Sequence, residues 1–364
     1  MSSSYGMSLK LSLFGQSHGE GIGIVIDGLP AGMPVDMDEI LFEMGRRKPG
    51  SSALTTQRKE DDLPEFLSGV LNGHTTGQPV CAVIRNTGMH SKDYGDGVDL
   101  ARPAHADYTG HVRYFGFEDW RGGGSFSGRL TAPIVLAGTL CGQYLRREGI
   151  RFESHILSLA GIEDTAMDTV SEETDLSEIK KLQLPVISSD AGEKMAEAIR
   201  IAAKDADSVG GIVEARIVGL PAGLGAPFFD SVESCLGHLM FSIPGVKGIS
   251  FGAGFDLAAM RGSQANDVMR MAQGRVITET NHAGGINGGI TNGMPVVFRL
   301  AIRPTPSIGK VQETISVRKM ENAELTIHGR HDPCILPRVT PVVEAMAKIG
   351  VMDLWKERNA CLSW

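Results

Sequence analysis

A nine-residue stretch occurs twice in this chain: IVIDGLPAG at 24–32 returns as ARIVGLPAG at 215–223. Each is a strand-forming run closed by the same turn, in which glycine reaches positive φ and proline stops a central strand. Two readings compete. A favourable turn is used twice by chance, or the chain holds two related halves, each with a sheet, packed on shared helices. No proline- or serine-rich linker separates them, so residues 1–364 are expected to form one domain of two or more layers.

The other elements sharpen this. Helices are expected at 37–47, 131–147, 191–204, 229–240 and 341–356. Asp36 and Glu39 suit a capping box at the first. Thr131 and Pro133 suit the start of the second, and Gly149 follows Arg146 and Arg147 at its end. Strands are expected at 8–14, 22–26, 210–220, 248–255 and 294–304. This order is not a β-α-β alternation, so an α+β fold is expected rather than a doubly wound sheet or a barrel.

Residues 15–19 read GQSHG, a G-x-S-x-G pattern that exposes a nucleophilic serine when a strand precedes it and a helix follows. SLKLSLF (8–14) supplies the strand. After the motif, however, Ile22, Ile24 and Ile26 alternate as a second strand. Ser17 and His18 are therefore expected in the turn of a β-hairpin, and a serine hydrolase becomes only a rival reading.

The formal net charge of −8 argues against a general nucleic-acid binder. The longest apolar runs, such as APIVLAGTLCG, are too short to span a bilayer, so no membrane partner is expected. MSSSYGMSLK lacks the apolar centre of a signal peptide. Five cysteines without a C-x-x-C pair give neither a disulfide framework nor a zinc site, and a cytoplasmic protein with reduced thiols is expected.

Within an acidic chain the cations are unevenly placed. RRKPGSSALTTQRKEDD (46–62) flanks a hydroxyl-rich loop with Arg47, Lys48, Arg58 and Lys59. The helix dipole accounts for cations at a helix end. It does not account for the later pair, and such a loop also suits a phosphate-bearing ligand. RPAHADYTGHVRYFGFEDWRGGGSFSGR (102–129) holds His105, Asp107, His111, three successive glycines, Ser125, Ser127 and Arg129. The glycines form no P-loop, because no G-K-[ST] follows. They are either a mobile turn or a place where backbone closely approaches a ligand, and the helix start after 130 offers an anion site beside Ser127 and Arg129. The histidine spacing matches no zinc pattern, so no metal is expected. The glycine loop of NHAGGINGGI precedes its strand, the reverse of a dinucleotide fingerprint. In GRHDPC (329–334), Asp332-Pro333 suits a turn.

Taken in order, GQSHGEGIGIVIDGLP, RRKPG with TTQR, RPAHADY, RGGGSFSGRLTAP, MRGSQAND, NHAGGINGGI, RPTPSI and GRHDPC with PVVEAM resemble the chorismate synthase family along essentially the whole chain. The resemblance implies a layered sandwich of mainly antiparallel β-sheets around central helices, and a homotetramer. It implies phosphate elimination from 5-enolpyruvylshikimate-3-phosphate, giving chorismate, with reduced FMN as cofactor. NADPH, or else an outside reductant, would supply the flavin's electrons. The substrate's two carboxylates and phosphate carry roughly −4, which an acidic protein binds only through a concentrated basic pocket.

By the same resemblance, His18, His105 and Asp332 are catalytic: His18 near the leaving phosphate, His105 donating to the flavin, and Asp332 near the flavin N5. Imidazole suits both histidine roles because its charge changes near working pH. Ser17, Arg47, Lys48, Arg58, Arg129 and Arg330 are the expected substrate contacts. Ser125, Phe126, Ser127, Gly288, Arg303, Pro304, Thr305, Pro306, Ser307 and Arg330 are the expected flavin contacts. Gln16 replaces a usual Glu, Ala53 a frequent Arg, and Ser125 and Phe126 a frequent Arg-Ser. Arg303 replaces a usual Lys, keeping the charge but not the geometry. A flavin-binding protein without elimination activity is the second rival.

Overall fold

Side chains alternate along β2 (Lys10–Gly15) and β3 (Gly21–Asp27), which pair antiparallel after β1 (Ser4–Tyr5). This computed structural model describes residues 3–50, 62–86, 99–327 and 332–361. The first half continues with α1 (Met37–Arg47), β4 (Pro64–Ser68), the short β5 (Val70–Leu71) and β6 (His74–Thr75), β7 (Val80–Arg85), α2 (Asp107–Arg113) and α3 (Thr131–Arg147). The second half opens with β8 (Arg151–Leu159), β9 (Ile162–Glu163), α4 (Ser189–Lys204), β10 (Gly211–Val218), α5 (Val232–Phe241) and β11 (Val246–Phe251). After α6 (Gly262–Ala265) come two hairpins, β12 (Met269–Ala272) with β13 (Arg275–Thr278) and β14 (Ile286–Asn287) with β15 (Ile290–Thr291). The half closes with β16 (Val296–Ile302), the hairpin of β17 (Val311–Ser316) and β18 (Glu321–Thr326), and α7 (Leu336–Cys361).

Two five-stranded antiparallel sheets result, ordered β1-β2-β3-β7-β4 and β9-β8-β10-β16-β11. Helix α3 touches β3 and β7 of one sheet and β8 of the other, and α7 packs on α3, β8 and β10. The helices therefore form the middle layer of an α+β sandwich. Both are apolar around most of their circumference, as a helix covered on two sides must be. They cross closely at Gly138 of α3, where an added Cβ would lie 2.4 Å from the Ala345 methyl.

The sequence echo is a structural one. After β3, Thr75 donates from Oγ1 to the Pro30 carbonyl (2.5 Å), accepts at Oγ1 from the Met33 N–H (3.0 Å), and exchanges backbone bonds with Gly32 and Met33. After β10, Thr291 does the same with Pro221 (2.7 Å), Leu224 (2.9 Å), Gly223 and Leu224. The order β2-β3-β7-β4 matches β8-β10-β16-β11, with α1 and α5 in corresponding places. The two halves share one plan.

The first two expected helices form with the expected bounds, Met37–Arg47 and Thr131–Arg147, and the other three form with shifted ends. The fourth begins at Val232, after a 3-10 turn at Phe228–Asp230 and a Ser231 cap. The third starts at Ser189 under a Ser188 cap. The last runs Leu336–Cys361, through Pro341. Proline cannot donate to the carbonyl four residues back, and the Thr340 hydroxyl bonds that Pro337 carbonyl instead (3.1 Å). No helix among the described residues is long and apolar enough to cross a membrane.

The outer face of the second sheet is buried too. There His155 lies between Asp164 (Nδ1 to Oδ2, 3.0 Å) and Glu214 (Nε2 to Oε2, 2.9 Å). Glu214 also accepts from Arg299 Nε (2.9 Å), and Arg216 pairs with Glu153 (2.6 Å). With both ring nitrogens facing carboxylates, His155 is an imidazolium. Burial opposes that charge, but the two carboxylates outweigh it and raise its pKa.

Candidate active site

The turn between β2 and β3 carries Ser17 and His18. A strand follows it, so the geometry that exposes a serine nucleophile is absent from this turn. The Ser17 N–H instead bonds the Gly124 carbonyl (3.1 Å), which seats the turn on the glycine loop 122–124. All three glycines have positive φ, of 59°, 84° and 52°. A Cβ at Gly122 would come 2.1 Å from His18 Cε1, and one at Gly123 would come 3.3 Å from His105 Cε1. Consecutive glycines thus hold the two histidines on one loop.

Around His105 the segment before α2 is tightly bonded. Asp107 Oδ1 lies 2.7 Å from His105 Nδ1, and Asp107 accepts from Arg102 Nε (2.7 Å), Arg102 Nη2 (2.8 Å) and the Arg102 N–H (3.0 Å). Burial would raise the Asp107 pKa, but the bonds from Arg102 and His105 hold it well below the carboxylate range. Arg303, just after β16, donates from Nη1 to the Ala104 carbonyl (2.6 Å) and so ties Arg303–Ser307 to this loop. Beside His18, Asp119 is held low first by Arg121, with His18 adding to the effect.

A buried basic cluster lies behind the turn. Arg47, at the end of α1, donates to Asp62 Oδ2 (3.0 Å), Thr131 Oγ1 (3.1 Å) and the Gly128 carbonyl (2.9 Å). Arg129 donates to Asp62 Oδ1 (2.8 Å) and Asn86 Oδ1 (2.6 Å). The Asn86 amide spans the His18 turn, bonding the Gln16 and Gly19 carbonyls (3.0 and 2.8 Å). Two guanidinium groups share the Asp62 carboxylate. Arg338 of α7 donates to the Arg47 carbonyl (3.0 Å) and pairs with Asp332, joining that carboxylate to the cluster.

Arg47, Arg129, Ser17, His18, His105, Arg303 and Asp332 are therefore linked through direct contacts. Ser127 caps the turn before α3, accepting from the Arg129 N–H (3.3 Å). Phe126 packs on Gly110 of α2 and on Tyr114, the residue that caps it, and Ser125 is exposed beside it. Lys48 is half-buried at the end of α1. The Thr305 hydroxyl is buried with no hydrogen-bond partner among the described residues. Gly288 sits at the tip of the β14–β15 hairpin, where the neighbouring Gly289 packs on Ser231. Arg58 and Arg330 lie outside the described residues. Sequence reasoning missed Asp62, Asn86, Arg102 and Arg338. Asp62 carried one signal, an acid closing a basic loop.

A hollow of about 430 Å³ lies elsewhere, along Asp168–Glu173. Three carboxylates in its wall oppose a polyanionic ligand.

A family model described as chorismate synthase matches residues 9–355. The chain is 44% identical over 354 residues to a chorismate synthase from Dehalococcoides mccartyi, covering 97% of this chain and 96% of that one. It is 44% identical over 349 residues to one from Pyrococcus abyssi, covering 96% of each. A solved structure titled as the crystal structure of chorismate synthase superposes with a TM-score of 0.76 at 27% identity, covering 97% of this chain and 93% of that chain.

Proposed function

The chain belongs to the chorismate synthase family, a family of lyases, and we propose that it eliminates phosphate from 5-enolpyruvylshikimate-3-phosphate with reduced FMN bound. The observation that carries this is the seating of His18 and His105 on successive glycines, beside the Arg47–Asp62–Arg129 cluster. Two acid–base groups with guanidinium groups beside them are what loss of a phosphate from a polyanion requires.

The residues present fit a flavin. The buried Thr305 hydroxyl has unused bonding capacity among the described residues, in a segment that Arg303 anchors beside His105. Arg303–Ser307, His105 and the backbone of Ser125–Ser127 would hold it. When bound, reduced flavin supplies electron density to the substrate as phosphate departs and recovers it afterwards. His18 protonates or bonds the departing phosphate, while Arg47 and Arg129 stabilise its charge. His105, when protonated at Nε2, would donate to the flavin ring. Asp332, oriented by Arg338, accepts the proton removed from the substrate side.

Exposed Phe228, Phe229 and Phe255 suit contacts between copies, in keeping with a homotetramer. The test is anaerobic turnover with chemically reduced FMN, following phosphate release. Release that requires reduced flavin supports the proposal, and equal release with oxidised flavin or none refutes it. A second arm with NADPH replacing the chemical reductant shows whether this chain reduces its own flavin.

A further inference from the structure

We infer that Asp107 is the positioning residue for His105, fixing its proton on Nδ1 so that Nε2 is the ring atom that exchanges protons. This rests on His105 acting in the proposed elimination. The reasoning starts from which atoms can donate. A guanidinium only donates, and an ionised carboxylate only accepts. Arg102 Nη2 lies 3.1 Å from His105 Nδ1 but 2.8 Å from Asp107 Oδ1, while Nδ1 lies 2.7 Å from that same oxygen. A bare Nδ1 would set two acceptors against each other at 2.7 Å. An Nδ1–H turns that contact into a bond and leaves the Arg102 group to Asp107. The hydrogen bond at one ring nitrogen decides which tautomer is present.

The surroundings hold this arrangement. Asp107 is the first residue of α2, where a carboxylate is favoured by the helix N-terminus. Arg102 grips both its oxygens, and the Arg102 N–H bonds one of them. Gly123 then faces the other edge of the ring: its added Cβ would lie 3.4 Å from Nε2. The ring is thus fixed on one side by charge and on the other by backbone, with Nε2 turned to the glycine loop. Other charged or titratable groups facing the pair are His111 on α2, paired with Glu118 (3.2 Å), Asp119 before the glycines, His18 across Gly122, and Arg303 at Ala104.

Two measurements test this. In the wild-type protein, ¹⁵N-detected NMR of the His105 ring, assigned with His105→Gln, is expected to show protonated Nδ1 and bare Nε2 in the neutral ring. Asp107→Asn keeps size and removes charge. It is expected to lower kcat at least about tenfold, part of the ~10²–10⁴-fold that a positioned acid–base group contributes, with KM changed less. Asp107→Glu should restore part of the rate. A wild-type ring protonated at Nε2, or an Asp107→Asn kcat equal to wild type, overturns the inference. Absent phosphate release by the wild-type enzyme would count against the elimination instead, and the NMR result would still decide the tautomer.

Discussion

Gly122 and His18 touch: a Cβ on Gly122 would lie 2.1 Å from His18 Cε1 and 2.2 Å from Nδ1. At φ +59° an L side chain is strained as well. Gly122→Ala must therefore push the imidazole aside, and a displacement near 1 Å costs on the order of 10²-fold in rate. Gly128→Ala, where a Cβ meets nothing within 4 Å, is the control and should retain most activity. Equal rates for the two variants would show that the loop does not position His18.

His18→Ala should lower turnover about 10²–10⁴-fold. Ser17→Ala should do less, since its turn is held by the Ser17 N–H and not by the hydroxyl. The reverse ranking in a phosphate-release assay would restore the serine-nucleophile reading.

Asp62→Ala leaves the Arg47 and Arg129 guanidinium groups buried without their shared carboxylate. Removing one partner of a buried pair costs about 3–5 kcal/mol. Urea unfolding should show a loss of that size. A change below about 1 kcal/mol would mean the two arginines find other acceptors.

His155, Asp164 and Glu214 set a pH window for stability. The His155 pKa is raised, so its contribution is complete below its ordinary 6.5 and fades as pH climbs through the raised value. The carboxylates are lowered, Asp164 from 3.8 and Glu214 from 4.5, because their hydrogen bonds outweigh burial. Their contribution is complete above those ordinary values and fades as pH falls through the lowered ones. The stability gap between wild type and His155→Gln should be widest between 4.5 and 6.5 and narrow toward alkaline pH. Urea midpoints across pH read this directly, and a gap that stays constant above neutrality would mean an uncharged ring.

Asp332→Asn should slow single-turnover decay of bound substrate under anaerobic conditions while flavin titration stays near wild type. Arg338→Lys should copy part of this effect, because the two-nitrogen grip on Asp332 and the Arg47 carbonyl is lost. A normal Asp332→Asn rate removes that carboxylate from the chemistry, and lost flavin binding reassigns it to cofactor retention.

Local chemistry was legible in the sequence. The α1 start could be read because Asp36 caps it within three residues, accepting the Glu39 N–H (3.0 Å). The GQSHG turn could be read because both flanking strands alternate. β8 could not: Glu153 and His155 look like a solvent face, yet a second covering layer buries them. The whole of α7 could not, because Pro341 signals a break that Thr340 repairs. In the site, motifs pointed to His18, His105 and Asp332. Asp62 acts through Arg47 and Arg129, and Arg338 ties Asp332 to the distant Arg47 carbonyl, contacts that no spacing rule reaches.

The paired threonine latches at Thr75 and Thr291 have a further consequence. The two halves agree in strand order and in the bonds that close their turns, but not in the segments between. β2 and β3 are joined by the tight turn that bears His18, whereas β8 and β10 are joined by a long excursion holding α4. Twofold likeness thus stops where the chemistry starts. A duplicated frame of this kind leaves one copy's loops at liberty to diverge, since the latch and not the loop keeps each sheet in register; catalysis here is a property of the asymmetry.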